Sequence, residues 1–186
     1  MKLFIKNMVS NRCLLIVKSE LDKFGFHYRN LVYGEVEVEE DVGSDILNRL
    51  NVELNRSGLA LIHDNRSILI EKIKVCVIDL IHYQDTQLKI NFSDYLSEKL
   101  NYDYTYLANI FSENLGITIE HFLLNHRIER VKELLVYDEL NITEIAYKMH
   151  YSSAAHLSNQ FKKMTGMTPS HYKHLKLKRR TPIENI

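Results

Sequence analysis

The sequence predicts an α+β protein, with a small ferredoxin-like βαββαβ domain followed by an all-α domain. Two observations support this. Residues 1–63 alternate between short apolar runs and amphipathic segments, whereas the sequence from Asn91 onward has only the three- and four-residue spacing of apolar residues that is typical of helices. The chain also has only 2 prolines and 6 glycines in 186 residues, which argues against a loop-rich β-sandwich.

The N-terminal pattern predicts four strands and two helices. Val36 and Val38 alternate with glutamates, which is typical of a half-buried strand. Ser44 is a candidate N-cap for the second helix. We expect strands at residues 3–7, twice within 27–39 and at 59–62, and helices at 11–24 and 44–56. The resulting order βαββαβ places both helices on one face of an antiparallel sheet, in a domain covering residues 1–64.

A connecting helix and six further helices are predicted next. The connecting segment, residues 65–90, contains the apolar stretch Arg66–Tyr83, and residues 85–89 are the candidate hinge. The other helices are expected at 93–100, 104–115, 119–136, 144–149, 153–165 and 170–178. Their candidate N-caps are Asp103, Thr118, Thr143 and Ser152.

Composition narrows the class of protein. The 24 basic and 24 acidic residues give a net charge of zero, although residues 162–180 contain seven bases and no acid. No apolar run reaches the roughly 20 residues of a membrane helix, and the N-terminus lacks a signal-peptide pattern. Cys13 and Cys76 cannot form a disulfide framework, and no catalytic or metal-binding motif is present. We therefore expect a cytoplasmic protein that is not an enzyme and has no cofactor or metal.

Two segments, residues 95–111 and 145–161, share one design at an offset of 50 residues. Each contains a short helix, a tight turn and a longer helix, which is the spacing of a helix-turn-helix unit. Such turns often need a residue with positive φ, and Asn101 and His150 stand in those places. The second helix of such a unit lies in the DNA major groove, so double-stranded DNA is the expected partner.

Residues 91–178 resemble the DNA-binding domain of AraC/XylS-family transcription regulators. The matching residues run from Ile142-Thr143-Glu144-Ile145-Ala146 through Tyr151-Ser152-Ser153 and His156-Leu157-Ser158 to residues 161–172, and residues 127–135 also match. The resemblance implies a seven-helix fold with two helix-turn-helix units at residues 91–180, a tail at 181–186, and activation or repression of promoters through the transcription machinery. The family usually has glycine at His150 and often arginine at Asn159.

Candidate DNA contacts follow from the two predicted recognition helices. Asn109 and Asn159 are the strongest candidates for base readout, since an amide pairs with adenine in the major groove. The first helix offers Tyr104, Thr105, Ala108, Asn109 and Ser112, the second offers Ser153, Ala154, Ser158 and Asn159, and Arg127, Lys162 and Lys163 are candidate phosphate contacts. The helix between the units is about 27 Å long, which fits two recognition helices about one DNA turn apart.

Residues 1–63 weakly resemble the heavy-metal-associated domain. Met8 and Cys13 align with that family's metal-binding loop, but Ser10 replaces its first cysteine. A soft metal prefers two thiolates, so we expect the fold without the metal activity. Two alternatives stay open: a soft-metal or redox sensor acting through Cys13, and a protein–protein adaptor whose helix-turn-helix units do not bind DNA. The N-terminal half is also a candidate site of homodimer formation.

Overall fold

Residues 1–62 fold in the order predicted from the sequence. The computed structural model describes residues 1–82 and 90–175 of the chain. The first six elements are β1 (Lys2–Lys6), α1 (Asn11–Lys23), β2 (Tyr28–Val32), β3 (Glu35–Val38), α2 (Ser44–Asn55) and β4 (Ala60–Ile62). They belong to the first of two compact units, the N-terminal module Met1–Cys76; the second is the helical module Val77–Ile186.

The four strands form one antiparallel sheet in the order β2-β3-β1-β4. Strand β1 is central, with Leu3 opposite Val36 on β3 and Ile5 opposite Leu61 on β4. These four side chains are buried, and they pack with apolar side chains of α1 and α2 in one core. Alternate residues of a strand point to opposite faces, so one face of the sheet carries this core.

Helix α3 (Asn65–His82) covers part of the other face of the sheet. Lys72 Nζ lies 5.3 Å from the centre of the Phe4 ring, and Phe4 points away from its buried neighbours on β1. Glu71 is 4% exposed and accepts a hydrogen bond of 3.0 Å from the backbone N–H of Asn7. Gly34 has φ of 79°, and a β-carbon there would lie 3.3 Å from Val75 Cγ2, so the turn requires glycine.

Six helices follow between residues 92 and 174. They are α4 (Phe92–Leu100), α5 (Tyr104–Leu115), α6 (Ile119–Tyr137), α7 (Ile142–Lys148), α8 (Ala154–Thr165) and α9 (Pro169–His174). The spacing of apolar residues predicted six helices after residue 91, and the described part of that range holds six, whereas the family resemblance implied seven. The helical module begins earlier, at Val77, within α3. The predicted domain limits at residues 64, 90 and 180 stay a prediction.

Three of the predicted N-caps are wrong by one or two residues. Gly43 precedes α2, so Ser44 is its first helical residue and does not cap it. Asn141 caps α7 in place of Thr143, because Glu144 returns a hydrogen bond to the Asn141 backbone and completes a capping box. Ser153 caps α8 in place of Ser152, whereas the predicted caps Asp103 and Thr118 are confirmed.

Some predictions fall on residues outside the described ranges. They concern Tyr83, the hinge at 85–89, the basic residues of 176–180 and the tail at 181–186. Among the described helices, none is both long enough and apolar enough to cross a membrane.

Candidate nucleic-acid interface

The two helix-turn-helix units are α4–α5 (residues 92–115, the first unit) and α7–α8 (residues 142–165, the second unit). Each turn contains one residue with left-handed backbone conformation, Asn101 in the first unit and His150 in the second, and both have φ of 57°. This confirms the prediction from the sequence. The turns differ in length, because one residue separates Asn101 from the N-cap Asp103, whereas two separate His150 from the N-cap Ser153.

Both recognition helices begin at a side-chain cap. Asp103 accepts hydrogen bonds from the backbone N–H groups of Thr105 and Tyr106, at 2.8 and 3.3 Å. Ser153 accepts one from the N–H of His156 at 3.1 Å. A capped first turn fixes where the exposed N-terminal residues of each helix project.

The apolar faces of the two recognition helices are equivalent. Leu107 and Phe111 on α5 are completely buried, as are Leu157 and Phe161, which lie 50 residues later on α8. Asn109 and Asn159 are both exposed and hold the same position relative to these anchors. The two predicted base readers are therefore related by the repeat itself.

The predicted contact residues divide into two groups by exposure. The exposed ones are Thr105, Asn109, Ser153, Asn159, Lys162 and Lys163. The half-buried ones are Tyr104, Ala108, Ser112, Arg127, Ala154 and Ser158. Thr105 and Asn109 are four residues apart and share one face of α5.

Tyr104 is engaged within the protein. Its hydroxyl donates a short hydrogen bond to Glu120, in the first turn of α6. Burial and this hydrogen bond both raise the pKa of Tyr104. Burial favours a higher pKa for Glu120, but hydrogen bonds from Tyr104, its own backbone and Thr118 outweigh it and lower that pKa. The pair ties the start of the first recognition helix to the start of α6.

Ser112 and Arg127 also have partners within the helical module. Ser112 Oγ donates to the backbone carbonyl of Ala108 at 2.8 Å. The Arg127 guanidinium lies 5.7 Å from the centre of the buried Tyr151 ring. The structure places Arg127 beside the core of the second unit.

Helix α6 joins the two units as one uninterrupted element of 19 residues. At 1.5 Å per residue it is about 28 Å long. Phe122 packs edge-on against Phe111 of the first unit, with ring centres 5.4 Å apart. Ile128, Val131 and Leu135 belong to the core cluster of the second unit. A packed helix thus fixes the separation of the two recognition helices.

The family comparison agrees with this geometry. Residues 96–174 match the family described as "Helix-turn-helix domain". The matched segment runs from within α4 to the end of α9 and so contains most of the first unit and all of the second.

Curated proteins that match part of this chain are transcription regulators by name. An uncharacterized HTH-type transcriptional regulator of Staphylococcus aureus (strain MSSA476) is 38% identical over 113 residues, which cover 60% of this chain and 15% of that protein. The HTH-type regulator YtdP of Bacillus subtilis (strain 168) is 28% identical over 101 residues, which cover 54% of this chain and 13% of that protein. The chain thus matches less than a sixth of the length of these curated relatives.

A solved structure is similar as well. The C-terminal domain of AraT, a response regulator from Geobacillus stearothermophilus, is 28% identical, with a TM-score of 0.51. The match covers 64% of this chain and 92% of that one.

Three exposed residues on or next to the recognition helices were not among the predicted contacts. Ala155 is exposed and stands four residues before Asn159, as Thr105 does before Asn109. Tyr102 and Tyr106 are each 49% exposed, and their rings stack with centres 5.6 Å apart. The four-residue spacing of both pairs was a signal that could have identified them.

The loop that aligns with the heavy-metal-associated motif has its methionine and its cysteine buried. Met8 is completely buried and Cys13 is 4% exposed, and both belong to the sheet core. Cys13 Sγ lies 3.2 Å from Ser10 Oγ. Among the residues that the structure describes, no group of three or more histidine, cysteine, aspartate or glutamate side chains could hold a metal ion.

Proposed function

We propose that this chain is a sequence-specific transcription regulator that reads two adjacent major-groove segments with α5 and α8. The observation that carries the proposal is the equivalence of Asn109 and Asn159. Both are exposed, both follow a capped helix start, and each lies between a buried leucine and a buried phenylalanine at equivalent positions of its helix. Recognition helices of this kind place their exposed N-terminal residues against base edges.

The contacts divide by chemistry. Asn109 and Asn159 read bases, because an amide can pair with both N6 and N7 of adenine. Thr105 and Ala155 lie one turn before them and contact base edges or thymine methyl groups. Lys162 and Lys163 neutralise phosphates, which positions the domain without specifying sequence. The half-buried residues of the predicted set position these contacts.

The proposal also covers the fold class of the N-terminal module and its role in pairing two copies of the chain. Its strand order β2-β3-β1-β4, with both α1 and α2 packed on one face, supports the ferredoxin-like class. Its exposed apolar side chains, Leu15, Val32, Ile46 and Val52, support a role in pairing two copies. Contact with the transcription machinery follows from the regulator role.

Sedimentation of the full chain measures whether two copies pair. A chain that stays monomeric at all concentrations would contradict the proposed pairing.

A selection experiment tests the DNA-reading function. The purified chain is incubated with random-sequence duplexes at about 150 mM salt, and bound DNA is sequenced after several rounds. We expect one motif with two conserved segments about one helical turn apart. Binding without enrichment, lost between about 50 and 200 mM salt, indicates only attraction to the backbone and favours the adaptor alternative.

A further inference from the structure

The two helix-turn-helix units differ in charge although they share one design. The first unit contains four carboxylates (Asp94, Glu98, Asp103 and Glu113) and one ammonium group (Lys99), a net charge of −3. The second contains one carboxylate (Glu144) and three ammonium groups (Lys148, Lys162 and Lys163), a net charge of +2. Duplex DNA is a polyanion, so the net charge of the first unit is repelled by the DNA backbone and that of the second unit is attracted to it.

The single cation of the first unit is engaged within the protein. Lys99 Nζ lies 3.4 Å from Asp79 Oδ2 and 2.9 Å from the hydroxyl of Tyr95. Lys162 and Lys163, in contrast, are exposed on α8, and no ion pair to either is found among residues 1–82 and 90–175. The first unit therefore has no cation placed for phosphate on its recognition helix.

A tyrosine pair occupies the corresponding place in the first unit. Tyr102 immediately precedes the N-cap Asp103, and Tyr106 is the third residue of α5. Their rings stack with an interplanar angle of 23°. The equivalent residues of the second unit, Ser152 and His156, are also paired, with Ser152 Oγ 3.0 Å from His156 Nδ1. Each unit thus has a side-chain pair next to the start of its recognition helix, but the two pairs differ in chemistry.

The position of this pair suits contact with the DNA backbone. Tyr106 lies about 100° around the helix from Thr105, so it flanks the face that carries Thr105 and Asn109. Groups that flank a recognition helix in the major groove face the phosphates at its walls. A tyrosine hydroxyl is a neutral donor to phosphate oxygen, and it requires no compensating cation.

We propose that the two units hold DNA by different chemistry. The first unit contacts phosphates through the hydroxyls of Tyr102 and Tyr106, and the second through the ammonium groups of Lys162 and Lys163. This inference rests on the proposed DNA-reading function and assigns the tyrosine pair as an additional positioning contact. Its consequence is that the salt dependence of binding arises in the second unit, since neutral donors release no counterions.

Matched variants separate the two contributions. Tyr102→Phe/Tyr106→Phe keeps both rings and removes only the hydroxyls, and Lys162→Gln/Lys163→Gln removes two charges. Tyr147→Phe, on α7 at a position that is 84% exposed, is the control for loss of a tyrosine hydroxyl. The dissociation constant of each full-length variant is measured between about 50 and 300 mM salt. The probe is a duplex of about 40 base pairs obtained by selection with the wild-type chain, and thermal melting checks that every variant is folded.

The expected results differ in kind. The tyrosine variant binds about fivefold more weakly per hydroxyl at every salt concentration, with an unchanged slope of log affinity against log salt. The lysine variant loses about two from the magnitude of that slope. Unchanged affinity of the tyrosine variant, or a lysine variant with the wild-type slope, overturns this inference alone. Failure of the wild-type chain to bind or select any duplex overturns the proposed function as well.

Discussion

Asn101 and His150 share a φ of 57° in the two helix-turn-helix turns, although the second turn is one residue longer. The left-handed conformation is easier for asparagine than for histidine, because the short amide tolerates this region. The protein thus meets the same backbone requirement twice without using glycine. His150 is exposed and not part of the core, so its conformational cost is open to direct measurement.

His150→Gly should stabilise the helical module. Glycine adopts positive φ without a β-carbon clash, and we expect a gain of about 0.5–1 kcal/mol in the free energy of unfolding. Asn101→Gly is the matched control and should gain less. Urea unfolding followed by circular dichroism measures both. If His150→Gly lowered the free energy of unfolding, the imidazole side chain would contribute more stability than the strained backbone conformation costs.

Asn109→Ala and Asn159→Ala should each relax base preference at a separate position of the selected DNA. Loss of a bidentate amide–adenine pair reduces discrimination by about 1–3 kcal/mol. Asn114→Ala, on the same helix as Asn109, is the control. Asn114 Nδ2 donates to the backbone carbonyl of Ile110 at 2.9 Å, so this amide is used within the helix and we expect base preference to be unchanged. Binding to a panel of single-base operator variants is the measurement. If both asparagine variants relax the same position, the two-segment account is wrong.

The two recognition helices show how much of the candidate site could be predicted from the sequence. The limits of α5 and the cap Asp103 were predicted correctly, because a strong cap precedes a regular apolar spacing. The start of α8 was misplaced by one residue, since Ser152 and Ser153 are adjacent and both can cap. The local sequence indicates that an N-cap is present, and packing with the rest of the protein determines which of two adjacent serines takes that position.

Contacts between elements could not be predicted from the sequence. Tyr104 stays a predicted DNA contact, but helix periodicity contains no signal for its hydrogen bond to Glu120 on α6. Arg127 was predicted as a phosphate contact, and its position beside Tyr151 depends on how α6 packs against the second unit. The burial of Leu107 and Leu157, in contrast, followed directly from their spacing.

Tyr104→Phe should destabilise the helical module by about 1 kcal/mol, because Glu120 loses a hydrogen-bond donor. A double-mutant cycle with Glu120→Ala, which removes the acceptor, isolates the interaction between the two side chains. We expect the two substitutions to be non-additive, and the base preference of the Tyr104→Phe protein to be retained. Strict additivity in the cycle would show that the hydrogen bond contributes nothing to folding.

The stability of the helical module should fall as the pH drops below about 6.5, in part through His82. Burial lowers the pKa of His82 below its ordinary value of 6.5; the charge of Glu133 acts to raise it and that of Arg130 to lower it. Below 6.5 the unfolded chain therefore binds a proton that the folded chain does not, and the folded state loses stability until the folded pKa is reached.

The variant His82→Gln removes this proton linkage. Its free energy of unfolding should decline less than that of the wild type between pH 7 and pH 5, as measured by urea unfolding at several pH values. His121→Gln, at an exposed position on α6, is the control. Parallel curves for the wild type and His82→Gln would exclude His82 as the titrating group.

The spacing between the two DNA segments tests the central claim most directly. Helix α6 fixes the separation of the recognition helices, so both can engage only segments at one distance along the duplex. The measurement is the affinity of the wild-type chain for its selected operator and for the same operator with about five base pairs, half a helical turn, inserted between the segments. We predict that the insertion reduces affinity to that of an operator with only one segment. Equal affinity for the original and the inserted operators would contradict the claim that one chain reads two segments.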